Sequence, residues 1–60
     1  MKNIETKKGL QTLKERYLTA GADEYWVKVI DGCLKEGLAM DETDYENTPK
    51  ELRKLWVGLK

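Results

Sequence analysis

The sequence predicts a small all-α domain of three helices, spanning about residues 4–20, 24–36 and 49–57. Three observations carry that reading. Apolar residues recur at steps of three and four in three separate segments, the spacing of an amphipathic helix. A helix-start residue stands before each segment, and Gly21, Gly37 and Pro49 punctuate the chain between them. There is no repeat, no low-complexity tract and no Gly- or Pro-rich linker, so residues 1–60 read as a single helical domain.

In the first segment Leu10, Leu13, Tyr17 and Ala20 form one stripe. Asn3 is the expected N-cap, Glu5 falls in the first turn, and Gly21 suits the left-handed position after the last turn. Gly9 disfavours the helix by about 1 kcal/mol relative to alanine, so residues before it are expected to fray.

The second segment runs from Asp23, an N-cap, to Gly37, a stop. Trp26, Val29, Ile30, Cys33 and Leu34 follow steps of 3, 1, 3 and 1 along a wide apolar face. Glu24 with Lys28 and Asp31 with Lys35 stand acid-first four residues apart, worth a few tenths of a kcal/mol each. A rival reading is α+β. Tyr25 to Ile30 is rich in β-formers, and Asp31-Gly32 is a strong type I′ hairpin signal. The partner strand would be Cys33 to Met40, where Lys35, Glu36 and Gly37 spoil the alternation, so the helix is preferred.

Before the third segment, Thr48-Pro49-Lys50-Glu51 reads as N-cap, proline at the first helical position and glutamate at the third. Leu52, Leu55, Trp56 and Leu59 then predict a helix to about Val57, ended by Gly58. Leu38 to Asn47 is an acidic connection carrying Met40 and Tyr45. Thr43 and Glu46 are able to cap an extra turn, but no helix is assigned there.

Composition removes most chemistry. Sixty residues with 40% hydrophobic side chains make a modest core, and the chain has no His and one cysteine, Cys33. It also lacks Ser, so Ser-His-Asp and Cys-His nucleophiles, a Cys/His zinc site and an intrachain disulfide are all excluded. Starting a calcium loop at Asp41 places Tyr45 at the fifth position and Leu52 at the twelfth, and the motif fails. No glycine-rich phosphate loop occurs. Lys28 lies between Val27 and Val29, but its pairing with Glu24 accounts for it. Cys33 sits on the apolar face as a small hydrophobe. The expectation is a non-enzyme with no catalytic residue, cofactor or metal. No apolar run reaches the roughly 18 residues of a membrane span, and no signal-peptide core follows Met1, so a cytoplasmic protein is expected.

Charge is segregated within a net of zero. Residues 1–20 carry five basic and two acidic side chains, net +3; residues 21–47 two and eight, net −6; residues 48–60 four and one, net +3. The conservative interpretation is intramolecular attraction between basic ends and an acidic middle, favoured because charge runs are usually solvated faces. The functional one is a charged face that steers a partner.

A domain of this size rarely nets more than about 3–5 kcal/mol from its core. Two Trp and three Tyr, residues enriched at interface centres, are a generous allotment for it. The leading expectation is therefore a helical protein-interaction module, a regulator or accessory protein that docks on a protein partner, forms a homodimer, or both. Candidate anchors are Trp26 and Ile30 of the second helix and Leu52, Trp56 and Leu59 of the third, with Tyr45 in the polar rim. The alternative is a nucleic-acid-associated regulator using Lys7, Lys8, Lys14, Arg16, Arg53 and Lys54 for phosphate contacts. It is not favoured. Thr48 to Leu59 resembles the first helix of a helix-turn-helix, yet no recognition helix follows, and an earlier placement makes the acidic second helix the reader.

Overall fold

In the computed structural model, which describes residues 3–59, the first apolar stripe lies on α1 (Lys7–Ala20). Leu10, Leu13 and Tyr17 of that stripe are buried, whereas Ala20 is exposed. The helix starts three residues later than expected, and its cap is Thr6, not Asn3: the Thr6 hydroxyl accepts from the Gly9 N–H at 3.0 Å. The reason is Ile4. Extending the helix back would turn Ile4 roughly 150° away from the stripe. Kept extended, it drops into the core at 1% exposure and pairs with Met40 in an isolated antiparallel bridge, N–H to carbonyl at 2.8 and 3.0 Å. Gly9 thus falls in the first, capped turn, where it is buried, and not in an interior that frays. Gly21 closes the helix in the left-handed region at φ 74°.

The second helix, α2 (Glu24–Glu36), has the expected ends. The Asp23 carboxylate accepts from the Tyr25 N–H at 3.0 Å, and Gly37 stops the helix at φ 70°. Asp31-Gly32 lies inside it, so the hairpin does not form, and no strand occurs among the described residues. The first two helices pack against each other, and Lys14 bridges to Asp31 at 2.6 Å.

The acidic connection contains a helix the sequence reading left out, α3 (Glu42–Asn47). Its start is a reciprocal cap between two aspartates. The Asp44 N–H donates to Asp41 Oδ1 at 3.1 Å, and the Asp41 N–H donates to Asp44 Oδ2 at 3.0 Å. Thr43 and Glu46 cap nothing. With no buried residue of its own, α3 shows no apolar stripe by which to read it.

The expected capping box at Thr48 is absent as well. Thr48 ends α3 instead; it is buried, and its hydroxyl donates to the Asp44 carbonyl at 2.7 Å. Pro49 takes the N-cap position of α4 (Lys50–Arg53), which tightens into a 3₁₀ turn, Lys54–Trp56. There are thus four helices in place of three, and the last is shorter than the expected 49–57. Arg16 supplies the physical reason for the early end. Its Nη1 donates to the carbonyls of Leu55 at 2.7 Å and Val57 at 2.9 Å, drawing the chain off the helical path and onto α1.

One core cluster unites Ile4, Leu10, Leu13, Tyr17, Val27, Ile30, Met40, Leu52 and Trp56. At its centre Trp56 Nε1 donates to the Tyr17 hydroxyl at 2.9 Å. The ring of Tyr45 meets Trp56 edge-on at 5.2 Å. Burial raises the Tyr17 pKa, an effect partly offset by its hydrogen bonds with Trp56 and Thr48.

Two predictions follow from this core. Replacing Tyr17 with Phe strands a buried indole N–H and should cost about 1–3 kcal/mol in urea unfolding at neutral pH, a large share of a small domain's stability. Because the folded phenol titrates above its unfolded value, its stabilising contribution is complete below about pH 10 and falls as pH climbs through the folded pKa. An alkaline unfolding limb that is weaker in Y17F checks the sign. Separately, a Cβ at Gly32 meets no atom within 4 Å, and this glycine is helical. The G32A variant should therefore gain about 0.4–1 kcal/mol in the same assay.

A candidate interaction surface on α2

Three of the six expected anchors belong to the core. Ile30 is 0%, Leu52 8% and Trp56 4% exposed, so none can present itself to a partner. The reason is the bend after Arg53, which rotates the Leu52 and Trp56 stripe onto Tyr17. Tyr45 is half-buried against Trp56, with the Arg53 guanidinium 5.5 Å from its ring centre. Leu59 is half-buried beside Lys8, Gly9 and Gly58 near the start of α1. Trp26 alone stands on a continuous, partly open apolar surface.

That surface is the flank of α2. Tyr25 is 62% exposed and meets Trp26 edge-on, ring centres 4.8 Å apart at 84°. Val29 is three and four residues on from these aromatics, and Cys33 is four beyond Val29, so the four side chains form one row along the helix. Trp26, Val29 and Cys33 are each half-buried. Tyr25 and Val29 were missing from the expected anchors, although a signal for them exists. Apolar positions 25, 26, 27, 29, 30, 33 and 34 sweep about 200° around the helix. A core-facing stripe needs only about half of that. Val27 and Ile30 fill the core side, and the remainder faces out.

The electrostatics of this row are one-sided. Burial, then the charges of Asp44 and Glu36, push the Cys33 thiol up from its ordinary pKa, which sets the acidic α3 close to one end of the row. Ion pairs among the described residues number two, Lys14–Asp31 and Lys28–Glu24, the latter at 3.4 Å on the edge of α2 away from α3. None of Asp41, Glu42, Asp44 and Glu46 has a cationic partner among the described residues. The attraction between basic ends and acidic middle is thus realised across elements by Lys14 alone.

The basic residues are largely engaged elsewhere. Arg16 is bound to the two C-terminal carbonyls, and Lys14 to Asp31. Arg53 Nε donates to the carbonyls of Thr48 at 2.8 Å and Tyr45 at 3.1 Å, and its Nη2 donates to that of Glu46. Of the six candidate phosphate contacts, Lys7, Lys8 and Lys54 remain exposed without such partners. They do not form one face, since Lys7 and Lys8 diverge by about 100° around α1.

A groove of about 270 Å³ lies between the start of α1 and the end of α2, bounded by Glu5, Lys7, Leu10, Cys33, Leu34 and Leu38. It has no convergent set of polar groups. Among the described residues no group of three or more Cys, Asp or Glu side chains is placed to hold a metal, and no helix is long and apolar enough to cross a membrane. No protein-family model, curated protein or solved structure matches the chain.

The thiol reports on this surface. Cys33 should react with iodoacetamide more slowly than free cysteine at neutral pH. The D44N variant keeps a cap-forming oxygen but removes the charge, so it should speed the reaction by lowering the thiol pKa. An unchanged rate in D44N would place the acidic helix too far away to matter.

Proposed function

We propose that this chain is a non-enzymatic protein-interaction module, a regulator or accessory protein that docks through the exposed flank of α2. The observation that carries the proposal is the unequal fate of its two indoles. Trp56 is enclosed and hydrogen-bonded, while Trp26 stays half-open with an exposed Tyr25 stacked on its edge. Aromatic pairs left open to water are costly to keep and are the side chains that dominate interface energetics. The lack of His and Ser, together with a lone thiol pushed away from ionisation, supports a non-catalytic role. The setting we propose is the cytoplasm, where a single half-buried cysteine stays reduced. Self-association through the same row is the homodimeric form of this reading.

A photo-crosslinking residue at position 25, compared with one at exposed Glu15 of α1, tests it. The proposal expects a discrete protein adduct from position 25 alone. The purified adduct partner should then bind the native chain directly and bind Y25A and V29D at least about tenfold more weakly, the loss expected of an interface anchor. Y25A should meanwhile shift stability by less than about 0.5 kcal/mol, as a solvent-facing residue does. Equal crosslinking from both positions would overturn the proposal. So would nucleic-acid binding that weakens steeply with salt and is abolished by K7E/K8E but not by V29D.

A further inference from the structure

The α2 flank also carries information about what covers it. Its row of Tyr25, Trp26, Val29 and Cys33 extends over nine residues, about 12 Å of helix, which matches two turns of a second helix laid alongside. At the Cys33 end it is bordered by Glu36 and by Asp44 of α3, whose charges are felt at the thiol. The other acids of α3, Asp41, Glu42 and Glu46, are exposed, with no cation against them among the described residues. The arginines that might have neutralised this edge hold backbone carbonyls instead. On the opposite edge Lys28 is already paired with Glu24.

We infer that the surface receives a basic amphipathic helix of another protein, with apolar side chains on the α2 row and Lys or Arg side chains over α3. The inference rests on the docking function proposed above and adds the class of partner. A second copy of this chain fits less well. It would bring the same segment, net −6 over residues 21–47, against itself, whereas a cationic helix meets the acids and leaves the apolar row to exclude water. Without a side chain at Gly32, where even an added Cβ meets nothing within 4 Å, the partner backbone can approach α2 closely.

The test uses the full chain and three synthetic peptides of about 14 residues, roughly 21 Å as a helix. The first has Leu on one face and Lys on the other, the second contains the same residues scrambled, and the third has Glu in place of Lys. Titrations are followed by amide chemical shifts. The amphipathic basic peptide should bind at least about tenfold more tightly than either control, a separation that one like-charge or unpaired contact supplies. Shifts should be confined to residues 25–33 and 42–46. V29K should abolish binding, and E42K/E46K should weaken it and flatten its salt dependence, with far-UV circular dichroism of both variants unchanged. Y25A, at an exposed site, provides a second reading of the row should V29K unfold.

Equal binding of the scrambled or acidic peptide overturns the inference, as does binding indifferent to both V29K and Y25A. Concentration-dependent self-association in sedimentation, lost in V29K, would make the occupant a second copy and overturn the inference while leaving the docking function intact. If the basic peptide fails but the position-25 crosslink still yields a partner that binds directly, the charge assignment is wrong and docking survives. If both fail, both readings fall.

Discussion

The hydrogen bond from Trp56 Nε1 to the Tyr17 hydroxyl, buried and spanning 39 positions of sequence, is the constraint on which the rest of the structure depends. An indole in a core must find an acceptor or lose the full desolvation free energy of its N–H. Here the acceptor sits on α1 and the donor near the other end of the chain, so satisfying one group fixes the relation between the first and last elements. Everything between must close around that pair. Tyr45 covers the indole from one side. Thr48, hydrogen-bonded to the phenol and to the end of α3, leaves α3 no freedom to swing away.

Two arginines serve this closure rather than the surface. Arg16 holds the carbonyls of Leu55 and Val57, bringing the last turn onto α1, and Arg53 gathers the carbonyls at the end of α3. A guanidinium has five donors in a rigid fork, so one side chain can satisfy carbonyls that the short helices leave unpaired. A chain with neither disulfide nor metal gains its cross-links in this way. The consequence is electrostatic. Cations committed to backbone carbonyls do not neutralise carboxylates, so the acidic stretch around α3 keeps its charge and the chain is strongly polarised despite a net of zero.

Stability and recognition are thereby divided between the two faces of a single helix. Val27 and Ile30 face inward and contribute to the core. Tyr25, Trp26 and Val29 lie on the other side, close to the acidic helix but packed only in part. Substitutions on the first face should unfold the chain, and those on the second should leave it folded and change what it binds. The molecule is too small to enclose a ligand, and the polar groups its core contains are already satisfied by one another.

Local features were determined by the sequence itself. Both ends of α2, the end of α1, the all-α class and the inward stripe of α1 from Leu10 to Tyr17 followed from capping residues, glycine positions and helical period, because those effects act within a turn or two. The breadth of the apolar arc on α2 already held the exposed row, had its width been compared with what one core can cover. The rest was decided only by tertiary structure. Ile4 abandons the first helix because the core needs it and the helical angle would point it away. Thr48 becomes a buried link rather than a cap because Tyr17 lies beside it. α3 forms from two aspartates that cap each other without an apolar face to announce it. The last helix breaks early because Arg16, 39 residues from Leu55, takes its carbonyls, and no pattern read along the chain contains that meeting.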